Sequence, residues 1–286
     1  MKSLVYFAYA IGWWLIKHLP ENFAYGLGRA IADFAYKKNG KGVKRLRKNY
    51  SRVFGIEVSD ELVKSGMRSY LRYWIDTFRF PNWNKERIIS TVTCEGENLL
   101  REPIAKGRGV IVALPHAGNW DHAGAYFCST GIPLTTVAEH LEPEKLFRKF
   151  LEYRENIGME VLDLNSRSIA TLSQRARSGK LIALVADRDL SKNGIEVDLC
   201  GYIAKFPAGP ALLAAQTGAA LITAYIRYTN SGIHIIFGSE ISVPVYGDNQ
   251  TKVAKMTQEV ANRFESELKK DPVDWHMLQR IWPDLG

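Results

Sequence analysis

Short apolar stretches alternate with amphipathic segments after residue 88, and this alternation limits the fold of the chain more than any other feature. It predicts strands at Ser90–Cys94, Gly109–Leu114, Pro133–Ala138, Glu160–Leu164, Leu181–Ala186, Ala220–Tyr228 and Ile233–Phe237. It predicts helices at Glu97–Lys106, Trp120–Ser129, Glu144–Asn156, Ser168–Arg177, Ala208–Gln216 and about Thr251–Lys269. Such a sequence indicates an α/β fold with a central mixed, mostly parallel sheet flanked by helices.

Residues 1–80 have a different pattern, which predicts helices throughout, with Ser59 as the cap of a helix that starts at Asp60. With 46% apolar and 24% charged residues, the chain has the composition of a folded globular protein. We expect residues 1–286 to form a single domain. It would have a helical N-terminal part (1–80) and an α/β part (88–286).

The longest nearly unbroken apolar run, Leu4–Ile16, covers thirteen positions. A bilayer span needs roughly 18–20 residues, so the run is too short for a transmembrane helix. It is followed by Lys17, His18 and Pro20 without a small-residue cleavage site, so it does not have the pattern of a secretory signal either. We therefore expect an uncleaved protein on the cytoplasmic side.

The net charge of +8, from 38 basic and 30 acidic residues, has a local origin. The segment from Lys37 to Arg52 contains eight basic residues and no acidic one. Three interpretations are open: a solvated helix face, a nucleic-acid site or a surface that binds anionic lipid. Aromatic residues within Leu4–Ile16, and apolar residues at helical spacing between Phe23 and Phe34, favour the lipid surface. We expect a peripheral protein on the cytoplasmic face of the cell membrane, and no nucleic-acid partner.

The loop after the strand Gly109–Leu114 carries the first candidate site residues. Gly118 permits a tight turn and Asn119 is a good helix cap, which places His116 on the loop and Asp121 in the first helical turn. A histidine with a carboxylate partner suits general-base chemistry, although a structural loop histidine is the open alternative. We expect no metal site, because neither this loop nor the three separated cysteines have ligand spacing.

The strand Leu181–Ala186 leads into Asp187, Arg188 and Asp189 at the same edge of the sheet, and Glu196 follows after a turn. Charged residues directly after an apolar strand are either turn caps or site residues. Here two loops of a parallel sheet would converge, which favours a site. Arg188 could hold a phosphate. Glu139, at the end of its strand, could bind sugar hydroxyls. Trp120, Tyr126 and Phe127 could line an apolar groove or belong to the core.

Four blocks of sequence carry a family resemblance. They are VTCEGENLLREPIAKGRGVIVALPHAGNWD (92–121), ALVADRDLSKNGIEVDL (183–199), FPAGPALLAAQTGAALI (206–222) and DPVDWHMLQRIW (271–282). The chain resembles bacterial lipid acyltransferases with an H-x-GNW-E/D block, which include the late acyltransferases of lipid A biosynthesis. It is more similar to the phosphatidylinositol mannoside acyltransferases of actinobacteria, which also close the block with Asp. The likeness runs from about residue 1 to 283.

The resemblance implies that His116 is the general base, with Asp121 in the position of the motif acid. The acceptor would be a mannose hydroxyl of a phosphatidylinositol mannoside, and the donor a long-chain acyl-CoA such as palmitoyl-CoA. Acyl-CoA would be a co-substrate, and no cofactor or covalent acyl-enzyme would be required. The resemblance also implies a second carboxylate at the histidine, either Glu196, which we favour, or Asp189. Arg154 matches a family arginine and would hold a phosphate.

Two alternatives remain at this stage. An acyltransferase of the same family could use another acceptor: a lysophospholipid, a glycerol phosphate or another glycolipid. A non-catalytic basic protein could instead bind a membrane through the Lys37–Arg52 segment alone. We expect a monomer in either case.

Overall fold

The structure is a computed structural model that describes residues 11–138, 144–163, 166–189 and 193–284. Its first part is helical, as the sequence predicts. The helices are α1 (11–18), α2 (Glu21–Lys38), α3 (Lys41–Phe54), α4 (Asp60–Arg79) and α5 (Lys85–Ser90). The Ser59 side chain caps α4 by accepting a hydrogen bond from the backbone N–H of Leu62. Within the described ranges, no helix is long and apolar enough to cross a bilayer.

The second part alternates strands and helices. The strands are β1 (Val92–Glu95), β2 (Val110–Leu114), β3 (Leu134–Ala138), β4 (Glu160–Asp163), β5 (Leu181–Val185), β6 (Ile195–Leu199), β7 (Tyr202–Phe206), β8 (Ala220–Tyr228) and β9 (Ile233–Phe237). The helices are α6 (Asn98–Ala105), α7 (Trp120–Ser129), α8 (Glu144–Asn156), α9 (Ser166–Arg177), α10 (Gly209–Thr217) and α11 (Asn249–Lys270). All seven predicted strands are present, within two residues of their expected ends.

The central sheet has seven strands in the order β1-β9-β8-β2-β5-β3-β4. Neighbouring strands are parallel except for the antiparallel pair β8 and β9, which a short turn connects. The predicted mixed, mostly parallel sheet is therefore confirmed. The sequence prediction missed the separate antiparallel hairpin of β6 and β7, which packs against α11.

Side chains alternate between the two faces of the sheet because successive residues of a strand point in opposite directions. One face, with Ile111, Ala113 and Ile182, packs under α9, α10 and α11. The opposite face, with Val112 and Leu181, lies under α6 and α7. We call these the packed face and the cavity face. The packed face also reaches the buried side of α3.

Candidate active site

The loop after β2 is shaped by a glycine and a helix cap. Gly118 has a positive φ of 59°, and a Cβ atom there would lie 2.6 Å from the carbonyl oxygen of Ile226. Only glycine fits both restrictions. The side chain of Asn119 then accepts a hydrogen bond from the backbone N–H of His122 at 2.9 Å and begins α7, as predicted. This geometry fixes His116 on the loop, with a third of its side chain exposed.

A buried carboxylate holds the ring of His116. The Nδ1 atom of His116 lies 2.6 Å from Oδ1 of Asp187, and the backbone N–H of His116 donates to Oδ2 at 2.9 Å. Asp187 comes just after β5, the strand that pairs in parallel with β2. Extending the observed register, in which Leu114 faces Val185, brings residues 116 and 187 opposite each other. The two loops that the sequence predicted to converge therefore do so.

Asp187 is charged despite its burial. The indole Nε1 of Trp275 donates to Oδ2 at 2.9 Å, so three hydrogen bonds reach this carboxylate. Burial alone would raise the pKa of Asp187, but the charge of His116 and these donors outweigh it and lower the pKa. The Nδ1–H of a neutral imidazole donates a hydrogen bond to the ionised Asp187, so the lone pair of Nε2 can accept a proton. The pair therefore has the arrangement of a general base.

The structure corrects the expected position of Asp121. This side chain is buried and does not turn back to the imidazole. Its Oδ1 accepts a hydrogen bond from Nε of Arg154 at 2.8 Å, and its Oδ2 accepts one from the hydroxyl of Tyr73 at 3.0 Å. Burial disfavours the charged form of Arg154, yet Asp121 more than compensates and raises its pKa. Arg154 thus forms a buried ion pair and also lines the cavity described below, and its predicted contact with a substrate phosphate stays a prediction.

The structure also corrects the choice of second carboxylate. Glu196 lies on β6, where Val197 and Leu199 point inward, so its side chain points outward and is two-thirds exposed. Its carboxylate lies 4.0 Å from Nζ of Lys205 on the neighbouring strand. Asp187 occupies the position at His116 that was expected for Glu196.

The remaining predicted site residues are placed as follows. The backbone N–H of Asp189 donates to the carbonyl of Lys205 at 2.7 Å, which anchors Asp189 beside the β6–β7 hairpin. Arg188 is half-buried between Asp187 and Asp189. Glu139 lies outside the described residues. Binding roles for these three residues stay predictions. Within the described ranges, no cluster of side chains has the composition of a metal site.

An apolar cavity, whose empty space of about 660 Å³ includes solvent at its opening, lies between the cavity face and α7. Trp120, Asp121 and Arg154 line one end, and the Trp120 ring lies 5.6 Å from the His116 ring. The lining continues along the sheet to the first residues of β3 and β5, Leu134 and Leu181. Of the aromatic residues predicted for an apolar groove, Trp120 and Phe127 contribute to the lining. Tyr126 instead donates its hydroxyl proton to Glu97 at 3.0 Å.

Sequence reasoning missed Asp187 and Trp275 as site residues. Asp187 was recognised at the correct edge of the sheet, but the more distant Glu196 was preferred. The register between β2 and β5 would have identified Asp187. Leu114 faces Val185, and residues 116 and 187 each follow that pair by the same number of positions. Trp275 is fully buried, like Trp282, and nothing in the sequence distinguishes its indole from a core side chain.

A histidine–carboxylate pair beside an apolar cavity, at the carboxyl edge of an α/β sheet, is the site of an enzyme that works on an apolar substrate. Comparison with known proteins agrees. Residues 1–283 match the family described as bacterial lipid A biosynthesis acyltransferase, and the chain belongs to this family. It is therefore an acyltransferase.

Two similar proteins carry the name phosphatidylinositol mannoside acyltransferase. The protein from Mycolicibacterium smegmatis is 39% identical over 280 residues, which cover 96% of this chain and 90% of that protein. The protein from Mycobacterium tuberculosis is 38% identical over 283 residues, which cover 96% of this chain and 87% of that protein. The similarity thus extends over nearly the full length of the chain.

Proposed function

We propose that this protein transfers a long acyl chain from acyl-CoA to a mannose hydroxyl of a phosphatidylinositol mannoside. The observation that carries the proposal is the His116–Asp187 pair next to the end of the apolar cavity. The names of the two similar proteins support the choice of acceptor. Palmitoyl-CoA is the donor we would test first, and the reaction needs no other cofactor.

In this reaction His116 acts as a general base. Its Nε2 takes the proton of the mannose hydroxyl while the oxygen attacks the thioester carbonyl and forms a tetrahedral oxyanion. The C–S bond then breaks, and the imidazolium returns the proton to the leaving coenzyme A thiolate. Asp187 holds the ring and stabilises the imidazolium. General-base assistance of this kind contributes about 10²–10⁴-fold to the rate.

The cavity would hold the acyl chain. Its lining follows β5 over five residues, which corresponds to about 16 Å of strand. Each methylene group that leaves water for an apolar environment contributes about 0.8 kcal/mol, so a long chain gains binding free energy that a short one lacks. The thioester would then lie at the Trp120 end, next to His116.

The N-terminal helices would place the enzyme on the membrane. Phe23 and Phe34 of α2 are 72% and 62% exposed, and Leu27 and Ile31 between them lie on the same helix face. Trp14 of α1 is 63% exposed. On α3, the basic side chains Lys41, Lys44, Arg45 and Lys48 are exposed as well. Exposed apolar side chains together with exposed positive charge fit the anionic cytoplasmic face of a bilayer.

Purified protein, labelled palmitoyl-CoA and phosphatidylinositol monomannoside test the proposed reaction. We expect an acylated glycolipid, and His116→Ala should lower its formation by at least about 100-fold without loss of fold. Lysophospholipid, glycerol 3-phosphate and an unrelated glycolipid are parallel acceptors. Preference for one of them would replace the acceptor proposed here. Equal turnover by wild type and His116→Ala would refute the mechanism.

Flotation with anionic vesicles tests the membrane role. The double variant Phe23→Ser/Phe34→Ser should bind at least about 100-fold more weakly, because burying each phenylalanine contributes about 1.5–3 kcal/mol. Val245→Ser/Tyr246→Ser is a matched control, since these apolar side chains are 81% and 85% exposed elsewhere on the surface. Equal binding by both double variants would contradict the role of α2. Binding should also weaken with added salt.

A further inference from the structure

A segment near the C-terminus (272–277) runs along the catalytic loop. Trp275 forms an antiparallel bridge with Ala117. On either side of that bridge, the backbone N–H of Gly118 donates to the carbonyl of Asp274 at 2.9 Å, and the N–H of His276 donates to the carbonyl of His116 at 2.7 Å. The loop that carries the catalytic base is therefore held by a segment about 160 residues further along the chain.

We propose that Trp275 is a positioning residue of the acyltransferase, and that its indole N–H fixes Asp187 in the orientation that His116 requires. The proposal rests on the function assigned above to His116. The side chain of Trp275 is fully buried, so it would act without touching a substrate. Its effect would pass through Asp187 alone.

The hydrogen bonds of Asp187 explain how this works. A carboxylate can rotate about its terminal torsion and exchange its two oxygens. Here Oδ2 is held by two donors, the backbone N–H of His116 and the Trp275 indole, both at 2.9 Å. With Oδ2 held in this way, Oδ1 faces Nδ1 of His116 at 2.6 Å. Without the indole N–H, Oδ2 keeps one of these two donors, the backbone N–H of His116 itself.

Trp275 itself is held from the opposite side. The hydroxyl of Tyr50, on the buried face of α3, donates to the carbonyls of Val273 and Trp275 at 3.0 and 3.2 Å. The amide of Asn49 donates to the carbonyl of Met277 at 2.7 Å. The side chains of Tyr50 and Asn49 hold the segment on both sides of Trp275. The indole N–H of Trp275 is therefore directed at Oδ2 of Asp187.

Trp282 is a matched control. It is also fully buried, and its ring lies 6.3 Å from that of Trp275 in an edge-to-face arrangement. Its indole donates to the carbonyl of Leu199 at 3.3 Å, away from the catalytic pair. A change that only weakens core packing should therefore act similarly at both tryptophans. A change that acts through the N–H group at Asp187 should act at Trp275 alone.

The experiment replaces each indole in turn with 3-benzothienylalanine, which keeps the ring shape but has sulfur in place of N–H. At Trp275 we expect kcat to fall about tenfold with little change in KM for palmitoyl-CoA, because the reacting groups are less well oriented. The acid limb of the pH–rate profile should move up by about half a pH unit, since a carboxylate with one donor fewer stabilises the imidazolium more strongly. The Trp282 variant should reproduce the wild-type profile.

The buried His276 is a second ionisable group that interacts electrostatically with His116. Burial, followed by the charge of His116, lowers the pKa of His276 to about 3, so it stays neutral over the assayed range. It therefore does not account for a shift of the acid limb. Trp275→Phe and Trp282→Phe repeat the comparison with natural residues, and their urea unfolding curves measure the packing loss separately.

A direct measurement does not depend on turnover. The imidazole signals of His116, assigned by their absence in His116→Ala, are followed by NMR as a function of pH in both benzothienylalanine variants. A displaced His116 titration at Trp275 alone supports the proposal even if phosphatidylinositol mannoside is not the acceptor. A titration and rate profile that match wild type, or that move equally in both variants, would overturn it.

Discussion

The two faces of the central sheet have similar apolar side chains but are covered differently. On the packed face, small residues such as Ala113, Ala211 and Ala261 let helices approach closely. On the cavity face, α7 leaves empty space above the strands although Ala123 and Gly124 are also small. Protein interiors are normally close-packed, so this space needs a physical cause.

Polar contacts of α7 supply that cause. In its first turn, Asp121 binds Arg154 and Tyr73, and the next residue, His122, binds the carbonyl of Ile88 at 3.1 Å. These contacts attach α7 to α4, α5 and α8, so its position is set by polar partners as well as by the sheet. We infer that these buried polar contacts, which we call tethers, maintain the cavity, while small side chains maintain the close packing of the packed face.

The largest expected effect comes from breaking the main tether, the buried ion pair between Asp121 and Arg154. Asp121→Asn leaves the buried charge of Arg154 without its partner, which should cost about 3–5 kcal/mol in the free energy of unfolding. Urea denaturation measures this, and Asp121→Asn/Arg154→Met should recover much of the loss. Glu240→Gln, which breaks an exposed pair with Arg108, is the control and should cost about 1 kcal/mol or less. Equal costs would contradict the role of the tether.

A pair of alanines on adjacent strands compares the faces directly. Ala113→Leu on β2 overfills the packed face and should cost about 1–3 kcal/mol in unfolding free energy. Ala183→Leu on β5 enters the cavity, which its side chain lines, and should cost clearly less. It should instead reduce turnover of palmitoyl-CoA while sparing a short-chain donor such as butyryl-CoA. Similar unfolding curves and unchanged chain-length preference would show that the two faces are filled alike.

Much of the fold could be predicted from the sequence because it depends on local patterns. The apolar strand that ends at Leu114 and the capping residue Asn119 placed His116 correctly. The hairpin of β6 and β7 was missed, because its five-residue strands pair with each other and form a sheet separate from the central one. Its alternation of inward Val197 and outward Glu196 is clear once the pairing is known.

The candidate site was predicted only in part, because its contacts depend on tertiary geometry. Asp121 has the sequence position of a partner for His116, yet the stronger electrostatic interaction with buried Arg154 draws it away. Asp187 follows β5, and its contact with His116 depends on the register between β2 and β5, which sequence alone does not give. The indole of Trp275 reaches Asp187 from 88 residues away, which no local pattern reveals.

The smallest expected effect is the loss of stability at acid pH that comes from the second tether, the contact of His122 with the carbonyl of Ile88. Burial lowers the pKa of His122 to about 4. Below the ordinary value of about 6.5, the unfolded chain binds a proton that the folded protein does not, so stability falls as the pH drops towards 4. Between pH 7 and pH 5.5 the loss from this group is about 1 kcal/mol.

His122→Gln keeps a donor for the Ile88 carbonyl but does not titrate, so its urea midpoint should depend less on pH over this interval. His18→Gln, which removes an exposed histidine, should retain the wild-type dependence. Helices α9, α10 and α11 over the packed face contain no histidine, whereas α7 is held by His122. The buried His276, whose pKa is also lowered, lies outside all of these helices and contributes equally to the wild type and to both variants. Amide hydrogen exchange at pH 5.5 should then increase in α7 before it does in α10. Simultaneous loss of protection in both helices would mean that α7 is held by the sheet and not by its tethers.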